Sequence, residues 1–155
     1  MRLRIVALGQ RMPAWINAGF DEYARRLPRE YALELIEVKP EPRDRGKSVA
    51  QMLSAEAARI RAACANDRIV ALDERGKPWT TRDLATKLEQ WRGDNTNVAF
   101  VIGSADGLDR AFRRSAAEQL ALSAMTLPHG LVRVILAEQL YRAASLVAGH
   151  PYHRD

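Results

Sequence analysis

The sequence predicts an α/β protein, a single domain over residues 1–155 with a mostly parallel sheet and helices on both faces. Five short runs, nearly continuous in apolar residues, have the length of strands buried on both sides, and five helical patterns alternate with them. A chain of 155 residues also suffices for one hydrophobic core without staples.

The first strand, Leu3 to Leu8, ends at Gly9. A helix over Pro13 to Leu27 carries Trp15, Ile16, Phe20 and Tyr23 at helical spacing. The second strand, Leu33 to Val38, leads into Lys39 to Lys47, where Pro40, Pro42 and Gly46 forbid a helix. This basic loop, with Lys39, Arg43, Arg45 and Lys47, falls at a strand's carboxyl end, the edge where open parallel sheets bind ligands. A helix over Lys47 to Ala63, a strand over Ile69 to Leu72, a turn from Asp73 to Trp79 and a helix over Thr81 to Trp91 follow. Next come a strand over Val98 to Ile102, a turn from Gly103 to Gly107 and a helix over Asp109 to Leu120. The last pair is a strand over Ala121 to Leu127 and, beyond Pro128, a helix over Leu131 to Ala148.

Composition excludes some classes. The start, Met1 to Gly9, has neither the apolar stretch nor the cleavage site of a signal peptide, and no run approaches a membrane span, so no membrane partner is expected. Cys64 is the single cysteine, consistent with a reducing cytoplasm and with a small buried side chain rather than a nucleophile. Four of the 24 basic residues are lysine and the rest arginine, with a net charge of +5. That balance fits an anionic partner such as nucleic acid, or the base composition of an arginine-rich genome.

The final helix is apolar almost all round, from Leu131, Val132 and Val134 to Leu146 and Val147. Such a helix must be covered on more than one side, by a second copy in a two-fold homodimer or, alternatively, by its own domain as a central buried helix of a monomer. Glu138 and Arg142, four apart, can pair on one of its faces.

Several turns fall at one edge: Gly9-Gln10-Arg11, Asp73 to Trp79, Gly103 to Gly107, and Pro128-His129-Gly130. Gly103 and Gly107 let backbone approach a ligand, although this spacing is also that of a simple turn. Phosphate-loop and dinucleotide glycine patterns are absent. No metal is expected, because Pro151 separates His150 from His153 without matching ligands. Asp73 lacks the acidic pair of a phospho-acceptor site, and neither Ser104 nor Ser123 sits in a nucleophile elbow. Behind the apolar helix, Tyr152, His153 and Arg154 offer donors or bases in a tail.

The segments Leu122-Ser-Ala-Met-Thr-Leu-Pro-His129, Leu131-Val-Arg-Val134, Ala137-Glu-Gln-Leu-Tyr-Arg142 and His150-Pro-Tyr-His-Arg154 resemble the RlmH family, SPOUT-class pseudouridine N3-methyltransferases of bacterial 23S ribosomal RNA. Met12-Pro13, Trp15, Gly19-Phe20, Leu72-Asp73, Gly76-Lys77-Pro78 and Val101-Ile102-Gly103 extend the likeness along the chain. The resemblance implies a carboxyl-terminal trefoil knot, S-adenosylmethionine as cofactor, a homodimer, and the ribosome with its 23S RNA as partner. It implies a cofactor site from Leu72, Gly103, Ser104, Leu122, Ser123, Ala124, Met125, Thr126, Leu127 and Pro128. Where that family commonly has a second glycine, this chain has Ser104.

Methyl transfer to a ring nitrogen needs positioning and loss of a proton. His153 is the candidate base, Arg154 the group that holds the ring or offsets its charge, and Tyr152, or Trp79, a surface for stacking. Each site would be composite if the tail crosses the dimer. A ribosome-binding protein without catalysis, or a flavodoxin-like domain, shares the pattern, though the latter's phosphate cradle is missing.

Overall fold

The computed structural model describes residues 1–44 and 46–153, so the expectations for Arg45 and Arg154 lie outside the described residues. Strands β1 (Arg2–Leu8), β2 (Ala32–Val38), β3 (Arg68–Pro78), β4 (Val98–Ile102) and β5 (Glu118–Ala121) form one sheet in the order β2-β1-β4-β3-β5. Every pairing between them is parallel, as the apolar runs and intervening helices require. The helices are α1 (Ala14–Ala24), α2 (Val49–Cys64), α3 (Thr81–Gly93), α4 (Arg110–Ser115) and α5 (His129–Val147).

Both faces of the sheet are covered. Leu3, Ile5 and Ala7 of β1 pack with Phe20 of α1, Leu88 of α3 and Leu136 and Leu140 of α5. Val6 and Leu8 point the other way, toward Ala57 and Ile60 of α2 and Phe112 of α4. Two helices begin with reciprocal caps: the Ser48 hydroxyl accepts from the Gln51 N–H and the Thr80 hydroxyl from the Asp83 N–H, while each partner side chain returns the bond.

Three boundaries differ from the sequence expectation. β3 continues to Pro78: both Leu72 and Lys77 pair with Leu120, so the residues between them leave the ladder and the strand then resumes. Gly76 makes the return possible, because a Cβ there would lie 2.8 Å from the backbone of Gln119 and Leu120. β5 ends at Ala121 rather than running from Ala121 to Leu127, since the ladder stops at Pro78–Ala121 and the Ser123 hydroxyl accepts from the Met125 N–H to start a turn. α4 stops at Ser115, with Ala116 extended, instead of reaching Leu120.

The apolar girth of α5 has a partly internal cause. α5 packs against both α1 and α3 on one sheet face. Gly19 and Gly130 permit the α1 contact, their Cβ positions lying 3.2 Å from Val134 and 3.1 Å from the Met12 sulfur. Two flanking helices therefore supply part of the cover that the sequence assigns to a partner.

Candidate cofactor cleft and carboxyl-terminal tail

β4, β3 and β5 are neighbours in a parallel sheet, so the segments leaving their carboxyl ends converge on one edge. There they enclose a cleft of about 720 Å³, within the size range of small-molecule and cofactor sites. Leu72 contributes the end of the β3 ladder, and Gly103 and Ser104 the turn after β4. Leu122, Ser123, Met125, Thr126, Leu127 and Pro128 contribute the loop after β5. Ala124 stands exposed in that loop and outside the lining.

The turn after β4 forms a further part of the lining. A Cβ on Gly103 would meet Gly107 backbone at 2.8 Å, and Gly107, at φ +83°, donates its N–H to the Ser104 carbonyl at 2.9 Å. The turn is thus as tight as glycine allows. The excursion from β3 forms another wall. Asp73 accepts from the Arg75 N–H at 2.9 Å and pairs with the Arg75 and Arg113 guanidiniums at 3.0 and 3.2 Å. With Asp73 so committed and Asp106 paired with Arg43 at 3.0 Å, Glu74 is the lining carboxylate without an ion pair among the described residues, although Thr126 donates to it at 3.4 Å. Leu72, Ile102, Leu120 and Val132 add apolar residues to the lining. That mixed set suits a nucleoside-bearing cofactor, with apolar groups for a base and polar groups for its hydroxyls and charged parts.

Sequence reasoning did not assign Asp73, Glu74, Arg75, Asp106 or His129 to the lining, although they lie in the strand-end turns it singled out. A further unassigned group is Arg133 of α5, fully buried, which donates to Glu37 at 2.8 Å and to the Gly9 carbonyl at 3.0 Å. It holds the turn after β1, where Gly9 takes φ +118°.

The tail sits elsewhere in the protomer. Tyr152 donates its hydroxyl to Glu138 at 3.2 Å, packs 4.4 Å from the Tyr141 ring and lies 5.0 Å beneath the Arg142 guanidinium. Burial, and then the Glu138 carboxylate, push its phenol up to about 12, so it stays a neutral donor. The Nδ1 of His153 is buried without a hydrogen-bond partner. His129 lines the cleft at the start of α5, and a helix rises ~1.5 Å per residue, so Tyr152 docks roughly 14 Å farther along it. Within one chain, then, tail and cleft are apart. Trp79 rests 6.4 Å from Trp91 with the Lys87 ammonium 4.6 Å over its ring, an arrangement of packing. Among the described residues no group of three or more His, Cys, Asp or Glu could hold a metal ion, and no helix is long and apolar enough to cross a membrane.

A family model described as "Predicted SPOUT methyltransferase" matches residues 1–153. A protein of Nitrosospira multiformis named ribosomal RNA large subunit methyltransferase H is 60% identical over 155 residues, 99% of either chain. Proteins of the same name from Burkholderia thailandensis and Bordetella petrii are 56% and 54% identical, again over 99% of both chains. Among solved structures, a probable methylase family protein of Haemophilus influenzae superimposes with TM-score 0.62 at 16% identity, over 99% of this chain and 70% of that one. A probable methyltransferase of Bordetella pertussis gives 0.57 at 18%, over 92% and 95%. At such identities the two structures speak for the fold alone.

Proposed function

The chain belongs to the SPOUT methyltransferase family, and from that premise we propose that it methylates N3 of a pseudouridine in 23S ribosomal RNA, using S-adenosylmethionine, as a homodimer acting on the assembled large subunit. The observation that carries this reading is the cleft, where the ends of β3 and β4 and the loop after β5 meet. When bound, the cofactor supplies a methyl group on a positively charged sulfur. Leu72, Gly103 and Ser104, with Leu122, Ser123 and Met125 to Pro128, would hold it, and a trefoil knot of the kind the resemblance implies would bring the loop after β5 to that seat.

The rest of the chemistry falls to the tail. His153 takes the N3 proton at a ring nitrogen, leaving N3 an electron pair for the new bond. Arg154 offsets the charge left on the ring. Tyr152, neutral and anchored to α5, serves as the hinge pin of the tail.

A two-fold axis across α5 runs the helices of two protomers in opposite directions, carrying each tail toward the other protomer's cleft. Trp15, 62% exposed on α1 beside α5, is apolar surface suited to such a partner. Radiolabelled methyl transfer to large subunits lacking the modification, compared with free 23S RNA, tests the assignment. Transfer to the subunits with little to free RNA is expected, falling as salt rises; no transfer to either overturns it.

A further inference from the structure

The cationic loop between β2 and α2 is tied down by buried carboxylates. Glu41 is buried beside Lys47, at 2.6 Å, and Arg59, which also donates to the Lys39 carbonyl at 3.1 Å. Glu56 of α2, 1% exposed, accepts from the Glu41 N–H at 3.3 Å. From this base Arg43 reaches across to the turn after β4. One of its terminal nitrogens donates to the Glu41 carbonyl at 3.0 Å. The other donates to Ser104 Oγ at 3.1 Å, pairs with Asp106 at 3.0 Å and lies 3.4 Å from Glu56. Ser104 and Asp106 both line the cleft.

We propose that Arg43 is a positioning residue for S-adenosylmethionine: it clamps the Ser104–Gly107 turn from outside and sets the direction of the Ser104 hydroxyl. A guanidinium has no acceptor, so it must occupy a lone pair of the Ser104 oxygen. The one hydroxyl hydrogen is left free to donate, and on this turn it serves an acceptor on the bound cofactor. The fork matters because one nitrogen is anchored on the Glu41 carbonyl while the other spans Ser104 and Asp106 on the turn, a division of donors in one plane that a single ammonium cannot reproduce. Glu41 and Glu56 give that fork a rigid origin. Ser104 thereby gains a function that a glycine at the same place could not have.

The proposal rests on reading the cleft as the cofactor site, and the test separates the two. Cofactor affinity is measured by calorimetry for the unmodified protein, Arg43→Ala, Arg43→Lys, Ser104→Ala and the Arg43→Ala/Ser104→Ala double variant, with a thermal melt of each. The bond at stake in binding is the one from the Ser104 hydroxyl to the cofactor, worth up to about tenfold in affinity when aligned, so Arg43→Ala should raise Kd and the cofactor KM by up to about that factor and leave kcat at saturation in place. Arg43→Lys should fall between, and the loss should shrink once Ser104 is alanine. Cofactor binding by Arg43→Ala or Arg43→Lys as tight as by the unmodified protein overturns the role, as does a loss of the same size in the Ser104→Ala background. Failure of the unmodified protein to bind overturns the cofactor reading itself, and the role of Arg43 with it.

Discussion

At the scale of the residue, burial decides what each polar group can do. Cys64 is fully buried and its thiol is pushed up to about 11, chiefly by desolvation, so it is core rather than nucleophile, as its helical setting in the sequence implied. Tyr152 is the informative titration. Its phenol is raised in the folded state from 10.0 to about 12, so the folded protein holds this proton more tightly than the unfolded chain. The contribution of the tail clasp is therefore present in full below pH 10 and lost as pH rises toward 12. Phenolate absorbance should show a late-ionising tyrosine that Tyr152→Phe removes; an unchanged curve in that variant would detach Tyr152 from Glu138. The cleft positions legible beforehand were those following strands, because a parallel sheet sends the segments after its strands to one edge. Arg43 and Arg133 were not legible as partners of Ser104 and Gly9, since each pairing joins segments far apart in the chain.

Elements show where one sequence signal has two causes. An apolar run signals a buried strand, and β1 and β4 obey, while β2, at the sheet edge, buries Val38 alone. Ala121 to Leu127 carries the same signal, yet only Ala121 is ladder, and Leu122, Met125 and Leu127 are apolar because they line a cleft. α5 repeats the lesson. Its apolar girth reads as a face for a partner, and α1 and α3 supply part of that cover, a division that periodicity along one helix cannot foresee. The packing has a measurable weight. Leu140 is fully buried among α5, α3 and the sheet, so Leu140→Ala should destabilise the protein by about 2–5 kcal/mol in denaturant melts. A change within error would mean that α5 collapses onto its neighbours without a cavity.

The whole molecule is a single core carrying a cleft at the start of α5 and a tail at its end. The proposed homodimer would reconcile that separation with one reaction, and mixed dimers put it to a sharp test. His153→Ala should keep cofactor affinity and lose about a hundredfold or more in methyl transfer. Gly103→Val should lose cofactor binding, because the added atoms collide with Gly107. Each variant alone is expected to be nearly inactive, while dimers formed from both contain one intact composite site and should regain activity. No recovery on mixing would place tail and cleft in the same subunit.

The order of strands carries a consequence for how the protein is made. β4 sits at the centre of the sheet, bonded to β1 on one side and β3 on the other, yet it is the fourth strand to be synthesised. Until Ile102 has left the ribosome, the β1–β2 pair and β3 have no common neighbour, and at ~5–20 residues per second that interval lasts several seconds. Nascent β1 therefore spends its first moments with an open flank of apolar ladder, a period when chaperones have most to offer and when a truncated message would yield an adhesive fragment rather than a smaller folded domain.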